Sequence, residues 1–118
     1  MFKNYAFFFA LGLVTSGFNV FASCNDNYHK VTVVNASVYY YTPTLKVTDN
    51  QDTKSKSVKS YSSDKSCWPD NSTLIIMDKT SNNSVGCLLY NKEMTISCVP
   101  VTGTFPVCGD VCYPYGTG

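Results

Sequence analysis

The chain contains no arginine, one histidine, one glutamate and one tryptophan among 118 residues. Each shortage excludes something. A binder of nucleic acid or another polyanion needs a cationic stripe to neutralise its ligand. Here nine lysines are set against eight acids, the formal net charge is +1, and no nucleic-acid partner is expected. Acid–base chemistry is equally thin. His29 and Glu93 are the sole residues of their kinds, so a phosphodiester-cleaving site would have to use both. A Ser-His-Asp hydrolase would have to take His29 as its base, and no serine has the glycine-flanked setting of a nucleophile elbow. Paired C-x2-C knuckles of a zinc site are missing too. The expectation is a non-enzymatic chain without cofactor or metal, with His29 a solvated residue at a strand start.

Long apolar runs are absent except at the start. Lys3 is the only charge before Asp26. Phe7 to Val14 (FFFALGLV) has the length of a signal-peptide core and falls short of the roughly 20 residues that span a bilayer. Thr15, Ser16 and Gly17 break it, and Val20-Phe21-Ala22 offers compact residues at the positions a signal peptidase reads. Residues 1–22 therefore read as a secretory leader and 23–118 as one small domain, with an extracellular destination and no membrane contact after cleavage. A rival route remains. Phe21-Ala22-Ser23-Cys24 loosely resembles a bacterial lipoprotein signal, but lipidation of Cys24 would leave an odd number of cysteines.

What the chain does have is cysteine. All six, Cys24, Cys67, Cys87, Cys98, Cys108 and Cys112, follow the leader. Of its seven phenylalanines only Phe105 does, and Val, Ile, Leu and Phe make up roughly one fifth of the remainder, near the limit for folding without cross-links. Disulfides, each worth about 2 to 4 kcal/mol, would compensate, and an exported chain favours them over zinc. The sequence does not choose the pairing. Cys108 and Cys112 are close enough to bond to each other, although such neighbours more often go to different partners. Cys24 is expected to tie the first segment to the second.

The local signals are β, with no window of helical periodicity. Val31 to Tyr41 (VTVVNASVYYY) predicts a strand with a bulge at Val33–Val34, which would place Val34, Ala36, Val38 and Tyr40 on one face. Leu45 to Val47 continues it after Pro43. Residues 50–66 are almost all small and polar and read as a flexible loop. Thr73–Asp78, Val85–Tyr90 and Glu93–Val99 read as an antiparallel meander, turning at Ser81–Ser84 and at Asn91-Lys92. The fold class is all-β or mostly β, a small disulfide-stapled antiparallel sheet or sandwich with long loops.

Two further patterns bear on function. Asn35, Asn71 and Asn82 each open an Asn-x-Ser/Thr triplet and are candidate glycosylation sites. Tyrosine is abundant, nine residues in all, and amphipathic aromatics are favoured interface anchors. Tyr40 and Trp68 are expected in the core. Tyr39, Tyr41, Tyr113 and Tyr115 are the candidate contact surface, with a protein as the expected partner.

A leader, a short cysteine-rich remainder and no enzyme motif resemble the small secreted cysteine-rich proteins of plant-associated fungi that serve as candidate effectors. The resemblance is one of general architecture and implies action on a host partner. Other classes are a secreted protease inhibitor or toxin, for which Val99 to Val107 between Cys98 and Cys108 is the candidate loop with Thr102-Gly103-Thr104 at its centre, and a cell-surface structural protein.

An intact mass of the secreted protein, taken before and after reduction and alkylation, is expected to begin at Ser23 and to show all six cysteines released only by reduction. A lipid-sized increment on Cys24, or free thiols before reduction, would contradict this processing.

Overall fold

Eight strands and no helix form among the residues described in the computed structural model, 23–116. The expected leader lies outside them. The strands are β1 (Tyr28–Asn35), β2 (Leu45–Asp49), β3 (Ser55–Val58), β4 (Ser63–Pro69), β5 (Thr73–Asp78), β6 (Ser84–Leu88), β7 (Met94–Cys98) and β8 (Cys112–Pro114). They make a three-stranded sheet in the order β4-β1-β7 and a five-stranded sheet in the order β3-β2-β5-β6-β8. All pairings are antiparallel except β1 with β7. This is the all-β, disulfide-stapled class the sequence predicts.

Period-two alternation puts one face of each sheet inward. Val31, Val33, Trp68, Ile96 and Cys98 come from the smaller sheet. Leu45, Val47, Leu74, Ile76, Val85 and Cys87 come from the larger, and the two sets share one core with Val58 and Cys108. Trp68 is in the core as expected. Tyr40 is not: it is 91% exposed.

β1 corrects the predicted strand. Its inward residues are Val31, Val33 and Asn35, and its register with β4 and β7 runs through Val33–Val34 without a bulge. The expected bulge put Asn35 on the face opposite Val34, Ala36, Val38 and Tyr40, as a candidate glycosylation site. The fold buries it because every polar group it carries finds a partner. Its side-chain amide donates to the carbonyls of Pro43 (2.9 Å) and Val58 (3.0 Å), and Ser37 Oγ donates to its Oδ1 (2.7 Å). Its backbone N–H donates to Ser62 O and its carbonyl accepts from Tyr61 N–H, both at 2.9 Å. The chain then leaves the sheet, and Val38–Tyr41 is a turn, closed by Tyr41 N–H on Val38 O at 3.2 Å.

Residues 50–66 are also corrected. They contain β3 and the start of β4, so the segment is not a linker between halves. It buries little of its own, apart from Val58. Its order comes from ladders on both sides, β3 on β2 and β4 on β1, so the turn at 59–62 carries the chain from one sheet to the other. Lys54 helps: its Nζ lies 4.8 Å above the Trp68 ring and donates to the Cys67 carbonyl. Burial, then the nearby charge of Lys56, holds its ammonium below the ordinary lysine range.

The meander is half right. β5 and β6 form the predicted hairpin. β6 and β7 do not, because β7 crosses to the other sheet and runs parallel to β1, while the edge of β6 is taken by β8. Three disulfides fasten these choices. Cys24–Cys67 holds the first described residues to β4, Cys87–Cys112 joins facing positions of β6 and β8, and Cys98–Cys108 closes the loop after β7. Cys108 and Cys112 thus go to different partners. A Cβ on Gly86 would lie 2.6 Å from Tyr115 Cδ1, so only glycine lets the last aromatic ring lie against β6.

Asn35→Ala is expected to lower stability by about 2 to 4 kcal/mol, since it takes a donor from the Val58 carbonyl and the acceptor from the Ser37 hydroxyl and leaves Pro43 O with Ser60 Oγ (3.2 Å) alone. The readout is a lower urea midpoint at unchanged slope. A change below about 0.5 kcal/mol would show that the hub is dispensable.

Candidate functional site: an aromatic loop end

The register places four connections at one end of the molecule. β1 ends where β4 begins and where β7 ends, and β2 begins opposite the ends of β3 and β5. The loop 36–44 and the turns 59–62 and 79–83 therefore emerge together, with the loop 99–107. Cross-links fix their relative positions. Asn35 binds both 36–44 and 59–62, as described above. Lys79 N–H donates to Thr44 O at 3.0 Å, and Asn83 Nδ2 donates to Thr104 O at 3.1 Å.

The side chains exposed here are mostly Tyr, Ser, Thr and Asn. Tyr39 is 84% exposed, Tyr40 91% and Tyr61 64%. The Tyr39 and Tyr40 rings meet edge to face, with centroids 4.9 Å apart at 80°, so they form a projecting knob and not a flat shelf. Tyr61 belongs to the neighbouring turn. Its hydroxyl donates to Val38 O at 3.2 Å, and Ser62 N–H on Lys59 O (3.1 Å) closes the turn. Tyr61 has φ 63°, in the left-handed region that glycine or asparagine would occupy at less cost, on the order of 1 kcal/mol for a bulky residue. That outlay keeps a large aromatic beside the knob.

Tyr41 serves a different end from the surface role predicted for it. It is half-buried, and its hydroxyl donates to Asp78 Oδ2 at 2.6 Å. Asp78 is fully buried and its other oxygen accepts from the N–H groups of Thr80 (2.8 Å) and Ser81 (3.2 Å). Tyr41 therefore braces the 79–83 turn. Tyr113 and Tyr115 are elsewhere. Tyr113 is 43% exposed and lines an apolar groove of about 310 Å³ with Phe105, Pro106, Val107 and Pro114, while Tyr115 is half-buried over Gly86. Of the four predicted contact tyrosines, only Tyr39 stands in the exposed cluster. Tyr40 and Tyr61 were missed. Three tyrosines in a row do not reveal that the strand has ended, and Tyr61 was hidden in an apparent linker.

The inhibitor loop is held at both ends by the Cys98–Cys108 disulfide and by paired backbone bonds between Val99 and Val107, at 2.8 and 2.9 Å. Its tip, Thr102-Gly103-Thr104, is exposed and folds back in a turn, Thr104 N–H on Val101 O at 3.3 Å, with Gly103 at φ 74°.

His29 is not simply solvated. Its Nδ1 lies 2.5 Å from Asp70 Oδ1. Together with Lys30, Tyr28, Asp26 and Glu93 it lines an open groove of about 400 Å³ near the Cys24–Cys67 disulfide. The two candidate acid–base residues thus share a groove, away from the tyrosine end. Among the described residues no group of three or more His, Cys, Asp or Glu is placed to hold a metal ion. Comparison with protein-family models, curated proteins and solved structures finds no match.

The Tyr41–Asp78 bond makes stability sensitive to alkali. The hydrogen bond to the Asp78 carboxylate, then burial and the Asp78 charge, raise the Tyr41 phenol above its ordinary value of 10.0. The fold thus favours the neutral phenol. Its contribution is complete below about pH 10 and is lost as pH climbs through the raised folded value. Denaturation midpoints are expected to fall over that alkaline range in the wild type and to fall less in Tyr41→Phe. Equal losses in both would remove Tyr41 as the cause.

Proposed function

We propose that this chain is exported and acts as a non-enzymatic binding protein, with the Tyr39–Tyr40–Tyr61 end as its contact surface for a protein partner. The observation that carries the reading is the exposure of Tyr39 and Tyr40, 84% and 91%, on a turn anchored from below by a fully buried residue. Rigid aromatics with few rotatable bonds, surrounded by Ser, Thr, Asn and Gly, are the composition that protein-binding loops on β-sandwiches use. They lose little entropy on binding and offer both apolar area and a hydroxyl. Perpendicular rings suit insertion into a protein pocket better than stacking on a flat sugar face. Two exposed lysines, Lys59 and Lys79, are the cations of these turns, fewer than the cationic stripe that capture of a polyanion needs.

A lipid thioether on Cys24 and the Cys24–Cys67 disulfide use the same sulfur, which favours a released protein over a lipoprotein. A protease inhibitor is expected to hold its contact loop extended for insertion, whereas the tip at Val101–Thr104 folds back on itself. The loop serves better as one wall of the tyrosine surface. An effector-like role toward a host protein fits this reading and follows from the architectural resemblance.

The test is a comparison of wild type with Tyr39→Ser/Tyr40→Ser as immobilised baits on extracellular proteins of the source organism and its surroundings. The variant is expected to keep its stability within about 0.5 kcal/mol and to lose at least about tenfold in affinity for the protein the wild type retains, as truncation of central aromatic anchors does. Equal retention by both baits would refute this surface.

A further inference from the structure

The three Asn-x-Ser/Thr triplets enter the fold in three different ways. Asn35 is fully buried, and its side-chain amide already donates to Pro43 O and Val58 O, so a sugar there is incompatible with the native sheet. Asn71 is exposed, but its side-chain oxygen accepts from Asn91 Nδ2 at 3.1 Å while its N–H donates to Asn91 Oδ1 at 2.9 Å. The pair ties two turns together. Asn82 is exposed at the β5–β6 turn with φ 65°, and its side chain makes no hydrogen bond among the described residues. The turn beneath it is rigid. Asp78 O accepts from Asn82 N–H (2.7 Å), Asn83 O accepts from Asp78 N–H (2.9 Å), and the Asp78 carboxylate caps Thr80 and Ser81.

We propose that Asn82 is an N-linked glycosylation site and that Asn35 carries no glycan in the native protein. The inference rests on the export reading, since it needs a lipid diphosphate-linked oligosaccharide and its transferase. In the transfer the Asn82 amide nitrogen attacks C1 of the first sugar. The N–C1 bond forms and the C1–O bond to the diphosphate breaks. The amide proton passes to a base on the transferase, and the lipid diphosphate leaves. Ser84 completes the triplet in the unfolded chain. On folding its hydroxyl donates to Tyr115 O at 3.1 Å, which leaves Asn82 outside with its sugar.

The position has a consequence for binding. Tyr41, next in the chain to the Tyr39–Tyr40 knob, is bonded to Asp78 at the base of the same turn. A glycan on Asn82 therefore stands at the tyrosine end. It stands beside the 99–107 loop, which the neighbouring Asn83 holds through Thr104 O.

The experiment is secretion of the full chain from a eukaryotic host, followed by peptide mapping before and after an enzymatic deglycosylation that converts glycosylated Asn to Asp. The expected result is conversion at Asn82, its loss in both Asn82→Gln and Ser84→Ala, and unmodified Asn35 in the folded secreted fraction. A secreted, processed chain with unmodified Asn82, or a converted Asn35 in that fraction, overturns this inference alone. A chain retained with its leader uncleaved overturns it together with the export reading.

Discussion

One buried amide organises this molecule. Asn35 ends the central strand of the smaller sheet, and there it meets the two loops that carry the chain to the larger sheet and back. Five hydrogen bonds to Pro43, Val58, Ser37, Ser62 and Tyr61 use each N–H and each oxygen of the residue. In a low-dielectric interior such a fully satisfied group specifies geometry more sharply than an aliphatic side chain, because any shift leaves a donor or acceptor bare. The two loops it holds are those that display Tyr39, Tyr40 and Tyr61. The rigidity of the proposed surface therefore derives from a residue that is itself wholly inaccessible.

Around that hub the chain is economical with apolar material, and the disulfides act where packing is weakest. β8 has three residues and one sheet neighbour, too little to hold it by ladder bonds alone. Cys87–Cys112 supplies the missing restraint. The loop after β7 has a two-residue bridge and receives Cys98–Cys108. The first described residues precede any strand and receive Cys24–Cys67. The loops closed span separations of 43, 25 and 10 residues, and each removes unfolded-state freedom worth about 2 to 4 kcal/mol. None of the three lies at the tyrosine knob. At that end Cys98–Cys108 staples the 99–107 loop, while the connections 36–44, 59–62 and 79–83 are held by hydrogen bonds to Asn35 and Asp78.

Some of this was legible from the residues in order. β5 was readable because TLIIMD is a short apolar run beside a polar turn, and Trp68 because a lone tryptophan beside a cysteine has few better places than the core. β1 was misread for a physical reason. Its inward row ends in Asn35, with Ser37 buried just beyond the strand, and a polar residue is buried without penalty once partners satisfy it. Residues 50–66 were misread because strand formation there depends on neighbours distant in sequence. Ser55–Val58 has no apolar face to announce itself and is ordered by β2. The Asn91-Lys92 turn looked like a hairpin because hairpins are local, whereas the parallel pairing of β7 with β1 joins residues more than half the chain apart and leaves no local trace.

The sequence by itself determined the fold class, the need for disulfides and the poverty of acid–base and cationic groups, because composition and period-two alternation act residue by residue. Only the tertiary structure decided which cysteines pair, which asparagine is buried and which tyrosines face outward. Those outcomes depend on whether a polar group finds its partner across two sheets, and that is a property of the assembled chain.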